Sequence, residues 1–497
     1  MQAERKKQLA NVLYYITQPV LRNALAFLVL PIITRYLSPK DFGTIALITM
    51  VTSFGGIFCL GLNNAIYRLY FKYKTNTDRL KEMLSTNIIS IVIILILYCG
   101  LIIAMFPFLN KFFFNGQLKI IWMILAFIQF SLGFINLTNQ YIFQNNYEGK
   151  KWFSNEASAT FVTVFLSVIL VLTHRFRFEA IIISGLCGEL VKGIMIFIQL
   201  RRYYGMIFRV KFLKEALSYS WPHTPTALFS FGYSYLDKIL LSKFKGLSQV
   251  GILDLSSRIS LNLKMAMEGM GGVIHPITLE LLGENTEGAF KKIADISLKF
   301  VFLTLFLGLS LILFSKEAIV LFTTKEYHFA VFVVPIYIYY YIFSVLGYIS
   351  YWLIYYHFQK TFWQIPLNAI NLSVNTIANI ILIPRYGLMG AVFAAFLSSG
   401  VANVIQLYVG MRITRISFNL YKVSLMFIVV LIETVFVYIL YQFNLNTLIA
   451  ICIKLVMLLL FALICLKQKI FNLQDLRDLL VIIKQGLKKP HPVPVVE

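Results

Sequence analysis

Arg22 lies within an apolar stretch and has no acidic residue three or four positions away. A guanidinium placed there needs an anion, and its planar fork offers paired donors that suit phosphate oxygens. Two readings follow. A distant carboxylate, Asp237 or Asp254, bridges to Arg22 and ties two segments together, or Arg22 marks an anion site. A second set of charges recurs at helical spacing: Asp254, Arg258, Lys264 and Glu268. Residues 254/258 and 264/268 are four apart, which allows intrahelical ion pairs. Their common periodicity places them near one helix face, expected to line water. Arg68 stands beside Asn63, Asn64 and Tyr67, which, with Tyr233 and Tyr235, offer the hydrogen bonds and rings a sugar requires. Lys192, three residues from Glu189, together with Lys238, Glu433 and Lys454, reads as structural pairing. Asp237, Asp254 and Glu433 are the acids from which a coupling ion, H+ or Na+, would draw its ligand.

Other chemistries find no support. There is no GxxxxGK[ST] loop for nucleotide phosphates and no HExxH pair for a metal. The six histidines are scattered. The five cysteines sit in apolar segments without a CxxC pair and read as packing residues. No cofactor, metal site or catalytic residue is expected, and the chain does not read as an enzyme.

The elements that must hold these residues are membrane helices. Hydrophobic residues make up 59% of the 497 and charged residues 13%, where soluble domains carry about 25% charged residues. Runs of about twenty apolar residues, each enough to span a bilayer as a helix, recur between short basic stretches. The spans are drawn at 9–33, 42–64, 84–106, 119–143, 155–173, 178–200, 217–242, 249–275, 294–315, 328–352, 362–383, 387–410, 421–441 and 446–466. The basic start resembles a signal-peptide n-region, but the following segment carries Arg22 and Asn23 and lacks a small-residue cleavage site, so it reads as a retained first helix. With the N-terminus inside, Lys and Arg number 27 in inner stretches and 11 in outer loops. That asymmetry predicts both termini in the cytoplasm of a cell-membrane protein. The net charge of +23 then reflects inner loops facing anionic lipid, with no soluble basic module for nucleic acid. After the last span, 467–497 forms a cytoplasmic tail. Its stretch 470–489 spaces Leu473, Leu476, Leu480, Ile483 and Leu487 helically among basic residues, as an amphipathic helix on the inner surface would.

The turn after span 1 and the turn after span 7 share a pattern. Gly43 matches Gly251 at an offset of 208, Gly61 matches Gly269 at the same offset, and Arg175-Phe176 matches Arg385-Tyr386 at 210. Spans 1–6 and 7–12 therefore read as parallel copies, the repeat architecture of many transporters. Residues 1–210 form the first six-helix lobe, 211–415 the second, and 416–466 an added helix pair. Pro19 in span 1 and Pro222 and Pro225 in span 7 are expected to kink the first helix of each copy and to mark the transport pathway.

Four stretches carry a family resemblance: LSPKDFGTIAL from Leu37, GLNNAIYRLY from Gly61, LDKILLSKFKG from Leu236 with VGIL from Val250, and NIILIPRYGLMGAV from Asn379. In this order the sequence resembles the polysaccharide-biosynthesis flippases of the multidrug/oligosaccharidyl-lipid/polysaccharide exporter superfamily, over spans 1–12. The resemblance implies an all-α fold of about fourteen membrane helices, two six-helix lobes in a V, and a cationic cavity. It implies translocation of a polyprenyl-diphosphate-linked oligosaccharide from inner to outer leaflet by alternating access, with polysaccharide polymerase or glycosyltransferases as partners. Arg22, Arg68, Arg258 and Lys264 fall at positions of the cationic lumen, while Asp254 and Glu268 depart from a purely cationic pattern. A lipid II flippase shares the helices and the arginines. A multidrug or cation antiporter is expected to hold an acid in the first lobe's cavity, and span 1 has none. A membrane polymerase or ligase is expected to carry a large outer loop, which is missing.

Overall fold

The computed structural model describes residues 2–221, 224–284, 286–352, 363–414, 416–443 and 446–471. Among them are seventeen α-helices and no strand. In chain order these are α1 (Gln2–Tyr36), α2 (Pro39–Ser53), α3 (Gly55–Phe58), α4 (Leu62–Tyr73), α5 (Thr77–Phe114), α6 (Ile120–Asn145), α7 (Gly149–Leu172), α8 (Phe178–Leu200), α9 (Val210–Ser220), α10 (Thr224–Lys245), α11 (Leu247–Glu284), α12 (Glu287–Phe322), α13 (Ala330–Trp352), α14 (Gln364–Tyr386), α15 (Leu388–Thr414), α16 (Leu420–Leu440) and α17 (Thr447–Lys467). Twelve stretches among the described residues are long and apolar enough to cross a membrane, α2 and α3 counting as one. The chain is a multi-pass membrane protein.

The seventh and eighth expected spans fall on α10 and α11, with 22 and 38 residues. Both are long enough to cross, yet neither is among the twelve, because their charges (Asp237 and Lys238; Asp254, Arg258, Lys264 and Glu268) dilute the apolar residues.

Continuity departs from the sequence reading in two places. The expected span 217–242 is two helices: α9 ends at Ser220, and α10 starts at Thr224. Pro225 therefore lies in the first turn of α10, where a missing N–H costs nothing, and does not kink a helix interior. Pro222 lies outside the described residues, as does the tail beyond residue 471. Pro19, in contrast, is inside α1, as is Pro31. The second departure is at the end of α3, where the chain turns through Cys59 and Leu60 to Gly61. Gly61 has φ 72° and caps the start of α4, a conformation that glycine adopts without steric cost.

The chain forms two compact units, Met1–Ile252 with Phe322–Glu326, and Leu253–Leu321 with Tyr327–Glu497. In the first, α1 packs on α7, α7 on α8, and α6 on α8, while α4 and α9 pack on each other and on α5. In the second, α15 packs on both α13 and α14, and α16 packs on α17.

The LSPKDFG motif has a structural purpose. The Ser38 backbone N–H donates to Asp41 Oδ2 at 2.8 Å, and Pro39 opens α2, a helix start that uses fixed φ and an acidic N3 residue. Arg177, just before α8, donates to the same carboxylate oxygen at 2.9 Å. One turn into α2, Gly43 rests on the carbonyl of Leu247, and Gly251 rests on the carbonyl of Pro39. A Cβ on either glycine would overlap that oxygen. Each glycine meets the residue four before the other, a reciprocal contact of the kind a two-fold relation produces.

Candidate functional site

In the first unit the polar residues of α1, α6, α7 and α8 converge. Lys192 on α8 is buried and bridges two carboxylates, Glu156 of α7 at 3.1 Å and Glu189 of its own helix at 2.9 Å. Glu156 also accepts from Gln140 Nε2 on α6 and from Gln18 Nε2 on α1, the latter at 3.4 Å. Glu189 accepts from Asn136 Nδ2 at 2.9 Å, and the Trp152 indole N–H donates to Gln140 Oε1 at 3.0 Å. A charge buried among helices needs such partners to offset desolvation. Here two carboxylates share one ammonium, so the network carries an excess negative charge.

Arg22 lies one helical turn beyond Gln18, about 6 Å farther along α1, and is not covered by protein. Among the described residues of its unit no carboxylate pairs with Arg22, so the expected bridge to Asp237 is not formed. A guanidinium that has kept its hydrogen-bonding capacity is disposed to take an external anion. Arg68 is exposed on α4, and its guanidinium stacks over the Tyr219 ring of α9 at 4.6 Å. This contact fixes the plane of the fork while leaving its N–H groups at the edge. Beside it, Tyr67 meets Tyr141 edge to face at 5.6 Å, and Asn63 donates to Asn64 Oδ1 at 3.4 Å. In α10, Tyr235 accepts from the Ser53 hydroxyl at 3.3 Å, whereas the Tyr233 hydroxyl donates to Ser230 within its own helix at 3.2 Å. Asp237 is buried.

In the second unit each cation of α11 has an acid at one turn's distance. Arg258 Nε sits 2.7 Å from Asp254 Oδ2, and Lys264 Nζ sits 3.6 Å from Glu268 Oε1. Both pairs are the i,i+4 contacts that the spacing allows. Lys454 of α17, almost fully buried, binds Glu317 of α12 at 2.6 Å, which gives it the structural pairing expected of it. Glu433 of α16 is buried, and its Oε2 has no hydrogen-bond partner among the described residues.

The structure therefore places Arg22 and Arg68 in one unit and Arg258 and Lys264 in the other. The residue missed by sequence is Glu156. With the fifth span drawn from residue 155, Glu156 falls at that span's end. The helix starts at Gly149, which puts Glu156 two turns inside, and an acid two turns into a membrane helix is a signal in itself.

In the first unit α4 and α9 are joined by Glu215, which accepts from Lys72 Nζ at 2.5 Å and from the Tyr73 hydroxyl at 2.6 Å. Burial alone would raise the Glu215 carboxyl, but these two hydrogen bonds and the Lys72 charge outweigh it and hold the group below its usual range.

The sequence model of a family described as "Polysaccharide biosynthesis protein" matches residues 8–282. Among solved structures, the fold is shared with the lipid II flippase MurJ in an inward closed conformation (18% identity, 93% of this chain and 100% of that one covered, TM-score 0.69). It is shared with an inward-facing multidrug resistance MATE family transporter of the MOP superfamily (14%, 79% and 94% covered, TM-score 0.63). A mutant of the Vibrio cholerae MATE transporter VcmN follows (15%, 84% and 96% covered, TM-score 0.53). No curated protein matches the sequence.

Proposed function

The chain belongs to the polysaccharide biosynthesis protein family, and from that premise we propose that it is a flippase that carries a polyprenyl-diphosphate-linked oligosaccharide from the inner to the outer leaflet of the cell membrane. The observation that carries this reading is Arg22, a membrane-helix guanidinium with no carboxylate partner among the described residues of its unit. A diphosphate supplies the oxygens that this fork lacks. Arg68, with its plane held by Tyr219, is a second ligand, and Arg258 and Lys264 add positive charge that Asp254 and Glu268 moderate. Asn63, Asn64 and Tyr67 are suited to the sugar.

In this reading residues 1–210 and 211–415 are the two lobes of a duplicated transporter, both termini are cytoplasmic, and transport is driven by an ion gradient through alternating access. The polymerase and the glycosyltransferases that consume and supply the lipid-linked sugar are its working partners.

A multidrug or cation antiporter would be expected to hold an acid in the first lobe's cavity. Thr17–Tyr36 contains none, and the first-unit acids Glu156, which meets Gln18 of α1, and Glu189 are engaged by Lys192. The shared fold with a lipid II flippase favours a second reading, in which the diphosphate carries a peptidoglycan precursor.

The test is Arg22→Ala in cells whose surface polymer depends on this protein. Loss of polymer with the protein still present in the membrane is expected. Normal polymer display in that variant would sink the anion site.

A further inference from the structure

At the C-terminal ends of α5 and α10, the ends expected outside, two cavities of the first unit meet at one ring, that of Phe113. The deeper cavity, about 260 Å³, is walled by apolar side chains that include Phe54, Leu101, Met105, Leu109 and Phe231. Its one hydroxyl is spoken for, since Tyr98 donates to the Val51 carbonyl at 2.7 Å. The outer cavity, about 680 Å³, is different in kind. Lys111 and Lys243 stand in its wall with Asn115, among Phe108, Phe112 and Phe244. Lys243 Nζ lies 5.6 Å from the centre of the Phe112 ring. Neither lysine pairs with a carboxylate among the described residues.

An apolar groove that opens into a cationic mouth is the complement of an amphiphile with an anionic head. The groove has room for roughly nine groups the size of a water molecule, a segment of one hydrocarbon chain and not the paired chains of a diacyl lipid. Two ammonium groups suit a phosphate monoester, whose charge is about −1.5 to −2 near neutral pH, better than the single charge of a phosphodiester. Lysines and rings also line ordinary membrane interfaces, where they snorkel and anchor. A belt of that kind has no need of a concave, chain-sized groove beneath it.

We propose that the joined cavities of α5 and α10 bind one phosphate-terminated isoprenoid chain, the chain in the Phe54–Leu101–Met105 groove and the phosphate between Lys111 and Lys243. Calling the chain isoprenoid rests on the flippase reading above. The site is separate from Arg22 and gives the sugar-free carrier, left after its sugar has been removed, a resting place at the outer surface.

The probe is farnesyl phosphate with a photoreactive group on its chain, offered to the purified full-length protein in detergent. Labelling is expected at α5 and α10 peptides. Lys111→Glu combined with Lys243→Glu should reduce it at least tenfold, and Met105→Trp, which fills the groove, should do so with both lysines in place. Lys111→Arg with Lys243→Arg should keep it, and thermal unfolding of each variant verifies that the fold survives. Absence of labelling at α5 and α10, labelling there that survives the charge reversal, or displacement by phosphatidylglycerol as effective as by unlabelled farnesyl phosphate would each overturn the site, the last showing an ordinary anionic-lipid rim. Arg22→Ala should leave labelling unchanged. If Arg22→Ala cells display polymer normally while labelling behaves as expected, the Arg22 anion site falls and the lipid site stands.

Discussion

Residues 39–73 and 247–281 are the clearest pair of counterparts in the chain. Both α2 and α11 begin at this offset of 208, at Pro39 and Leu247, and their glycines interlock. Beyond that point the two diverge. In the first copy the helix breaks after Phe58, and Gly61 turns the chain into α4. In the second, α11 continues unbroken to Glu284, and Gly269 is an ordinary helical residue with nothing within 4 Å of where its Cβ would be. The charges diverge with the backbone. Asp254, Arg258, Lys264 and Glu268 stand where the first copy has Ala46, Met50, Gly56 and Leu60, while Arg68 stands where the second has Pro276. The two segments share the crossing point and differ in chemistry. One places a stacked arginine after a break, and the other places paired charges along a continuous helix.

The largest effect should separate unpaired from paired arginines. Arg22→Ala is expected to lower surface polymer at least tenfold, a loss of about 1.4 kcal/mol or more in transport free energy. Arg258→Ala should cost less, because Asp254 already offsets its charge; equal losses would break the distinction. Lysines offer the same contrast in stability. Lys192→Met leaves Glu156 and Glu189 without their counter-ion and should destabilise the protein by about 3–5 kcal/mol, whereas Lys264→Met, at an exposed pair, should change it by about 0–1 kcal/mol. Denaturation in detergent reads both.

The interlocked glycines should behave alike. Gly43→Ala and Gly251→Ala each force a methyl onto a carbonyl and should cost about 1–3 kcal/mol, and a large inequality would undo the reciprocity. The next pair should behave differently. Gly61→Ala places a side chain at positive φ, at about 1–2 kcal/mol, while Gly269→Ala, helical and open, should be neutral or gain about 1 kcal/mol. The smallest effect concerns pH. Since the Glu215 carboxyl is held low in the folded protein, its contribution is complete above the usual carboxylate range and fades as pH falls through the depressed value. Lys72→Ala should reduce the fall in melting temperature between about pH 6 and pH 3. An unchanged fall would assign that acid sensitivity to other groups.

Much of the fold was legible because the bilayer imposes it. Runs of about twenty apolar residues can only be helices, and the expected fifth span, 155–173, ends within one residue of the end of α7. The breaks were not legible. Nothing in CLGLNN marks Gly61 as left-handed rather than helical, because its counterpart Gly269 has the same type and register and is helical. Pro225 suggested a kink, yet the same residue serves equally well at a helix start. Within α11 the spacing gave both ion pairs, since i,i+4 partners are local. The Lys192 network was only half visible: Glu189 is three residues away, but Glu156, Gln140 and Gln18 come from other helices, and no single-sequence pattern joins them.

The reciprocal glycines also limit how this crossing can be repaired. Gly43 rests on the carbonyl of Leu247 and Gly251 on that of Pro39, so backbone meets backbone on both sides. A methyl added on one side cannot be absorbed by trimming the other, because both positions already lack a side chain. The crossing is therefore a place where no compensating substitution at the partner glycine exists.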